Sequence, residues 1–216
     1  MKIVGMMPVR VGSRRAGGKS VRKLGGRALF CWMLEKMDAL GIPVHVYASE
    51  VESLEKLVDF KAQNIVFTQR PEFLDNDGVI GAQIYKEFAQ QVPADVYLLC
   101  HATSPFVKVE TLRAVVDAVT KENAECALTV RREQTFAWFD GKPLNFALPR
   151  IQTQSLKPVF LETSGAYCYR REVLEQGDRS NLSPRLIEIA WPETEDIDTE
   201  EDFARCEEMI KIFRQN

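Results

Sequence analysis

The chain lacks an excess of either charge: 28 lysine and arginine residues stand against 31 aspartate and glutamate, for a formal −3. That balance excludes the overall basic field of a nucleic-acid binder, so any anion site must be local. Cysteine is sparse and scattered. Cys31, Cys100, Cys126, Cys168 and Cys206 form no CxxC pair, and their odd number cannot complete a disulfide framework. A reducing, cytoplasmic setting is expected, with the thiols packed as small apolar groups. Long hydrophobic runs are also missing. The opening MKIVGMMPVR is too short an apolar stretch for a signal peptide, and nothing approaches the roughly 20 apolar residues of a membrane span, so no membrane partner is expected. Without repeats, low-complexity tracts or a linker, the 216 residues read as one domain, 1–216.

What the sequence does contain is alternation. Short apolar runs at Ile3 to Met7, Val44 to Ala48, Ile65 to Thr68, Val96 to Cys100, Cys126 to Val130 and Ala166 to Tyr169 read as strands. Helical periodicity lies between the early ones: Leu29 to Leu40, Val51 to Phe60, Val79 to Gln91 and Val109 to Thr120. Strand alternating with helix predicts an α/β fold with a doubly wound, mainly parallel sheet. The alternation fails from Gln134 to Pro158, where Asp140-Gly141-Lys142-Pro143 among aromatic residues predicts a hairpin carried on an excursion. A final helix is expected from about Thr199, with Thr199 and Asp202 at capping-box spacing and Phe203, Cys206, Met209 and Ile210 on one face.

Directly after the first strand, Pro8 to Ser20 packs four basic residues and three glycines into one turn. Glycines let backbone N–H groups approach phosphate oxygens, basic side chains supply charge, and open α/β sheets bind ligands at the carboxyl ends of their strands. Gly18-Lys19-Ser20 almost completes a Walker A motif, but Ser13 stands where its first glycine belongs. A P-loop phosphotransferase also needs an acidic residue ending a later apolar strand, and Val96 to Cys100 instead runs into His101-Ala102-Thr103-Ser104-Pro105. A Cys100–His101 nucleophile pair is disfavoured, because strand neighbours point to opposite faces.

Together, Pro8-Val9-Arg10-Val11-Gly12-Ser13-Arg14-Arg15 with Lys19 resembles the opening motif of the sugar-acid cytidylyltransferases, the acylneuraminate and KDO activating enzymes. Further segments similar to that family follow in order: Arg70 to Asp77, Thr103-Ser104-Pro105, Thr153 to Pro158, Glu162 to Tyr167, and Asp196-Ile197-Asp198-Thr199. The acylneuraminate branch fits better, because the KDO branch usually shows Gln-Gly-Asp where this chain has Cys100-His101-Ala102. The resemblance implies a Rossmann-like nucleotide-diphospho-sugar transferase fold, a homodimer, and magnesium as cofactor. It also implies CTP and an acidic sugar, of the sialic or related nonulosonic kind, as substrates. Departures occur at Ser20, His101, Val107, Thr153 and Ser164, where the family usually has asparagine or proline, glutamine, arginine, arginine and asparagine respectively.

By that resemblance, Arg10, Gly12, Ser13, Lys19, Ser20, Arg70 and Thr103 are expected around the nucleotide, and His101, Gln154, Glu162, Ser164 and Tyr167 around the sugar. Asp196 and Asp198 are the expected metal ligands and, with Arg10 and Lys19, the catalytic set. Attack of an anomeric hydroxyl on the α-phosphorus of CTP depends on positioning and cationic stabilisation, which basic residues and carboxylate-held magnesium supply. A non-catalytic binding module of the same fold is the alternative. The aspartate pair separates the two, since carboxylates without a metal repel a sugar acid.

Overall fold

A computed structural model describes residues 1–12, 18–76 and 78–215. The chain runs β1 (Ile3–Pro8), a 3₁₀ turn (Lys19–Val21), the ribbon β2 (Lys23–Leu24) and β3 (Arg27–Ala28), α1 (Leu29–Asp38), β4 (Val44–Ala48), α2 (Val51–Glu55), β5 (Ile65–Gln69), a 3₁₀ turn (Glu72–Asp75) and α3 (Gly81–Gln91). It continues through β6 (Val96–Cys100), α4 (Val109–Thr120), β7 (Cys126–Glu133), β8 (Trp138–Phe139), β9 (Lys142–Pro143), β10 (Val159–Arg170), α5 (Arg171–Glu175), β11 (Arg185–Glu188) and α6 (Glu200–Gln215).

The main sheet has seven strands in the order β11-β7-β10-β6-β1-β4-β5. Only β10 runs against the rest, pairing antiparallel with both β6 and β7. The carboxyl ends of the parallel strands therefore share one edge with the beginning of β10. Alternation along the strands feeds two cores: Met7, Val46, Leu98 and Cys100 face α1, α2 and α4, whereas Met6, Tyr47, Tyr97 and Leu99 face α3 and α5. Helices thus cover both faces of the sheet, as the sequence pattern predicts. At Gly5 an added Cβ would meet Met37 Cε and Val44 Cγ2 at 3.0 Å, so glycine here sets how closely α1 lies on β1.

Several elements differ from the sequence expectation for identifiable reasons. The helix expected to reach Phe60 stops at Glu55. Beyond it, the Asp38 carboxylate accepts the Asn64 N–H at 2.6 Å and the Gln63 N–H at 3.1 Å, holding the approach to β5 as a loop. The helix expected from Val79 starts at Gly81, where the Gln83 side chain accepts the Ile80 N–H. Strands β7 and β10 extend beyond their apolar runs, pairing Glu133 with Val159 at the far end. The anticipated hairpin is present as β8 and β9, with Asp140 and Gly141 both at positive φ (50° and 71°), as a type I′ turn requires. The five cysteines are all free and buried.

Candidate functional site

The first wall of the site comes from the carboxyl ends of β1, β4 and β5. Val9 donates its N–H to the Tyr47 carbonyl and Arg70 donates its N–H to the Ala48 carbonyl, so the chain leaves all three strands at one level. The turn at Glu72–Asp75 then carries Asp75 back over them. Its carbonyl accepts from Arg10 Nη2 and its carboxylate accepts from Arg70 Nη2, which brings the two expected nucleotide-side arginines to one residue. Arg70 is buried and already ion-paired with Asp75, so its visible contribution is to hold this wall together. Gly12 lies exposed, and among the described residues a Cβ there would meet nothing within 4 Å. The expected contact at Ser13 lies outside the described residues, as do Arg14 and Arg15.

Lys19 connects this wall to the opposite end of the sequence. Its ammonium donates to the carbonyls of Ile197 at 2.8 Å and Asp198 at 2.9 Å, and lies 3.3 Å from Asp198 Oδ1. Gly18, at φ 69°, opens the single 3₁₀ turn Lys19–Val21, which holds Ser20 beside the lysine and gives way at once to the β2–β3 ribbon. A P-loop would instead lead into a helix whose N-terminal amides cradle phosphate. That architecture is absent among the described residues, which removes the near match to Walker A.

The segment after β11 carries the aspartate pair. Ile197 is fully buried in a small core with Leu24, Leu29, Phe203, Cys206 and Ile210, and its N–H bonds the Thr103 carbonyl at 2.9 Å. This extended contact fixes Thr103, in the turn after β6, against the aspartates. Asp198 is exposed beside Lys19, whereas Asp196 Oδ1 is shielded from solvent with no hydrogen-bond partner among the described residues. A buried carboxylate oxygen without a partner is costly. Asp196 lines a pocket of about 240 Å³ with Arg131, Glu162, Thr163, Ser164 and Thr194.

A β-bulge builds the second wall, where the resemblance leads us to expect the sugar-side residues. Between Glu162 and Tyr167 the β10–β7 register shifts, and fully buried Thr129 staples the extra residues through the Thr163 hydroxyl (2.7 Å) and the Ala166 N–H (3.1 Å). The displaced Ser164 carbonyl lies 3.1 Å from His101 Nδ1, and the His101 ring meets Tyr167 edge-on at 6.0 Å. Burial pushes the His101 imidazole below its ordinary value; Arg179 adds to that, while the Ser164 hydrogen bond and the charges of Asp196 and Asp198 oppose it. Cys100, by contrast, faces the other core, and its thiol is pushed far up by burial. The thiol–imidazole pair is therefore not assembled.

Tyr167 is itself buried, and its hydroxyl lies 2.8 Å from Glu162 Oε1. Arg179 completes this network, donating to the same hydroxyl and carboxylate with its guanidinium 4.3 Å from the Tyr167 ring centroid. Tyr167 thus orients Glu162 and His101 and offers little free surface. Gln154 is not brought to this pocket. It lies with Gln134 and Thr153 in a separate, shallow depression at the base of the excursion. Arg131 and Arg179 were not anticipated, because their approach to the site depends on the β7–β10 register and its bulge. No cluster of three or more histidine, cysteine, aspartate or glutamate side chains suited to a metal occurs among the described residues.

A family model described as cytidylyltransferase matches residues 4–215. The chain is 24% identical to the N-acylneuraminate cytidylyltransferase of Oncorhynchus mykiss over 98% of its own length, but spans about half (51%) of that relative. It is equally, 24%, identical to the 3-deoxy-manno-octulosonate cytidylyltransferase of Acidobacterium capsulatum over 97% of both chains. Among solved structures, a CMP:2-keto-3-deoxy-manno-octonic acid synthetase complexed with CTP superposes with a TM-score of 0.70 at 18% identity, covering 98% of this chain and 99% of that one. At that identity the likeness shows the shared fold.

Proposed function

Because this chain belongs to the cytidylyltransferase family, we propose that it transfers CMP from CTP to the anomeric hydroxyl of an acidic sugar and releases pyrophosphate. The observation that carries the reading is the contact of Lys19 with Ile197 and Asp198, which joins the glycine-rich basic loop to the aspartate pair beside the Asp196 pocket. Arg10 and Lys19 supply positive charge where a triphosphate would lie. Ser164 and Glu162 line the pocket where an acceptor would lie, His101 stands behind it against the Ser164 carbonyl, and Thr103 is held beside the aspartates on the nucleotide side. His101 is held neutral by burial and so presents a hydrogen-bonding edge without a charge.

The donor set fits a hard divalent cation. Asp196 and Asp198 flank an inward Ile197, and Asp196 Oδ1 lacks a partner among the described residues, which suits magnesium bound through one or two carboxylates and completed by substrate phosphates and water. Magnesium bound there would neutralise charge on the reacting phosphates. The chain's own task is to hold the α-phosphorus and the acceptor oxygen in line and to limit water at the buried side of Asp196.

For the acceptor, a sialic or related nonulosonic acid is the reading favoured by Cys100-His101-Ala102, and a KDO-like acid is the competing choice within the same class. The test supplies magnesium, each of the four nucleoside triphosphates and a panel of sialic, legionaminic, pseudaminic and KDO acids, and measures pyrophosphate together with CMP-sugar. CTP-dependent product with one acid is expected. Equal or better use of ATP would count against the donor assignment, and no product with any acid would leave a binding module of the same fold.

A further inference from the structure

A second cavity, of about 370 Å³, lies away from the Asp196 pocket, between α1, α6 and the turn that follows β6. Its size falls in the range of small-molecule sites. Trp32 and Phe106 form its walls with Phe213, whose ring meets Phe106 edge-on at 5.9 Å. Two cations, Lys36 and Arg214, line it, and among the described residues no carboxylate does. Lys36 is largely withdrawn from solvent with one hydrogen bond among the described residues, to the Pro105 carbonyl, for an ammonium that carries three donors. Arg214 lies 6.0 Å over the Trp32 ring and forms no ion pair among the described residues.

A partly desolvated ammonium with spare donors inside an apolar enclosure is electrostatically incomplete. The nearby acids do not complete it. Glu193 is engaged by Thr111 and the Lys108 N–H and ammonium, and Glu35 by Arg27. We propose that this cavity is a binding site for a small carboxylate with an aromatic or compact apolar body, its head paired with Lys36 and Arg214 and its body between Trp32 and Phe213. Lys36 also grips Pro105, directly after Thr103 and Ser104, so the occupant would sit behind the turn that borders the candidate active site. The proposal does not depend on the assigned reaction.

Burial lowers the Lys36 ammonium to about 8; the Glu193 and Glu35 charges oppose this and Arg27 adds to it. Carboxylate binding should therefore weaken as the pH is raised through about 8, because the amine loses its proton. The probe pair is phenylacetate and its uncharged counterpart phenylacetamide, titrated into the full chain and followed by ligand-observed NMR. Phenylacetate should bind at least about tenfold more tightly, the ratio expected from one charge-assisted contact. Lys36→Met should abolish that preference, Arg214→Gln should reduce it, and Phe213→Ala should weaken both probes. Three results would overturn the proposal: equal binding of acid and amide, preference unchanged in both charge variants, or complete displacement by CTP. Binding lost in step with self-association as protein concentration rises would also overturn it, because the cavity would then be an interface between copies.

Discussion

Lys19 serves two neighbours, since its ammonium already holds the carbonyls of Ile197 and Asp198 when a triphosphate would need it. Lys19→Ala removes a charge-assisted contact worth about 1.5–3 kcal/mol, so kcat/KM for CTP should fall about ten- to a hundredfold, and Arg10→Ala should behave alike. Steady-state pyrophosphate release measures both, and wild-type kinetics in both variants would move the triphosphate elsewhere. Asp196→Asn keeps size and removes charge from the pocket, so turnover should fall on the order of a thousandfold with the urea midpoint nearly unchanged. Undiminished turnover at limiting magnesium would exclude Asp196 as a ligand. His101 offers a third measurement. Its imidazole is pushed below the ordinary 6.5 by burial, so its ring-proton NMR shifts should titrate below that value. The folded state then binds fewer protons than the unfolded one, and stability is lost as pH falls from about 6.5 through the folded value. His101→Gln should remove that part of the acid slope.

Helix α6 is fixed at its start by a reciprocal cap. The Asp202 N–H reaches Thr199 Oγ1 at 3.2 Å, and the Asp202 carboxylate accepts the Thr199 N–H and hydroxyl, each at 2.8 Å. Thr199→Ala should cost about 1 kcal/mol, read as a shift of the urea midpoint. Against its partial burial, the Asp202 carboxyl is pulled down to about 2 by Thr199 and Arg205. Its contribution is therefore present above the unfolded value of about 4 and lost as pH falls towards 2. This cap was legible as spacing, as were β4, β6 and α4, whose bounds coincide with their hydrophobic patterns. Helix α2 was overestimated because its last turn tightens into bonds from the Leu57 N–H to the Leu54 carbonyl and from the Val58 N–H to the Glu55 carbonyl, and the loop beyond is held by Asp38, a side chain from another element. Strand β11 and helix α5 escaped because four and five residues are too few to display a period. For the candidate site, ordered motifs placed Lys19, Glu162, Ser164 and the aspartates. The approach of Arg131 and Arg179, and the separation of Gln154, follow from strand register and the Thr129 bulge, which no local pattern encodes.

The β8–β9 excursion leaves Trp138 55%, Phe139 74% and Leu148 82% exposed. Phe146 meets Phe136 at 5.0 Å and Trp138 at 5.1 Å, with Arg150 above Phe136 and Phe146. So large an apolar display argues for a covering partner, and a second copy with the same face is the simplest one. Light scattering at micromolar concentration should give the mass of a dimer, and Trp138→Ser with Phe139→Ser should give that of a monomer. A wild-type monomer at high micromolar concentration would show that the hairpin simply faces solvent. Reversed strand β10 has a separate consequence, for how the molecule is made. In the finished sheet β7 sits between β10 and β11, both of which follow it in the sequence, while β6 waits on one side for β10. On the ribosome, the first half can therefore assemble as β6-β1-β4-β5, but β7 emerges with no strand yet made to receive it. Its run from Cys126 to Val130, buried in the final fold, stays open to wrong pairings until Arg170 has been added. The nascent chain is then most vulnerable during synthesis of the excursion, and the speed at which those residues are translated sets how long β7 stays without its neighbours.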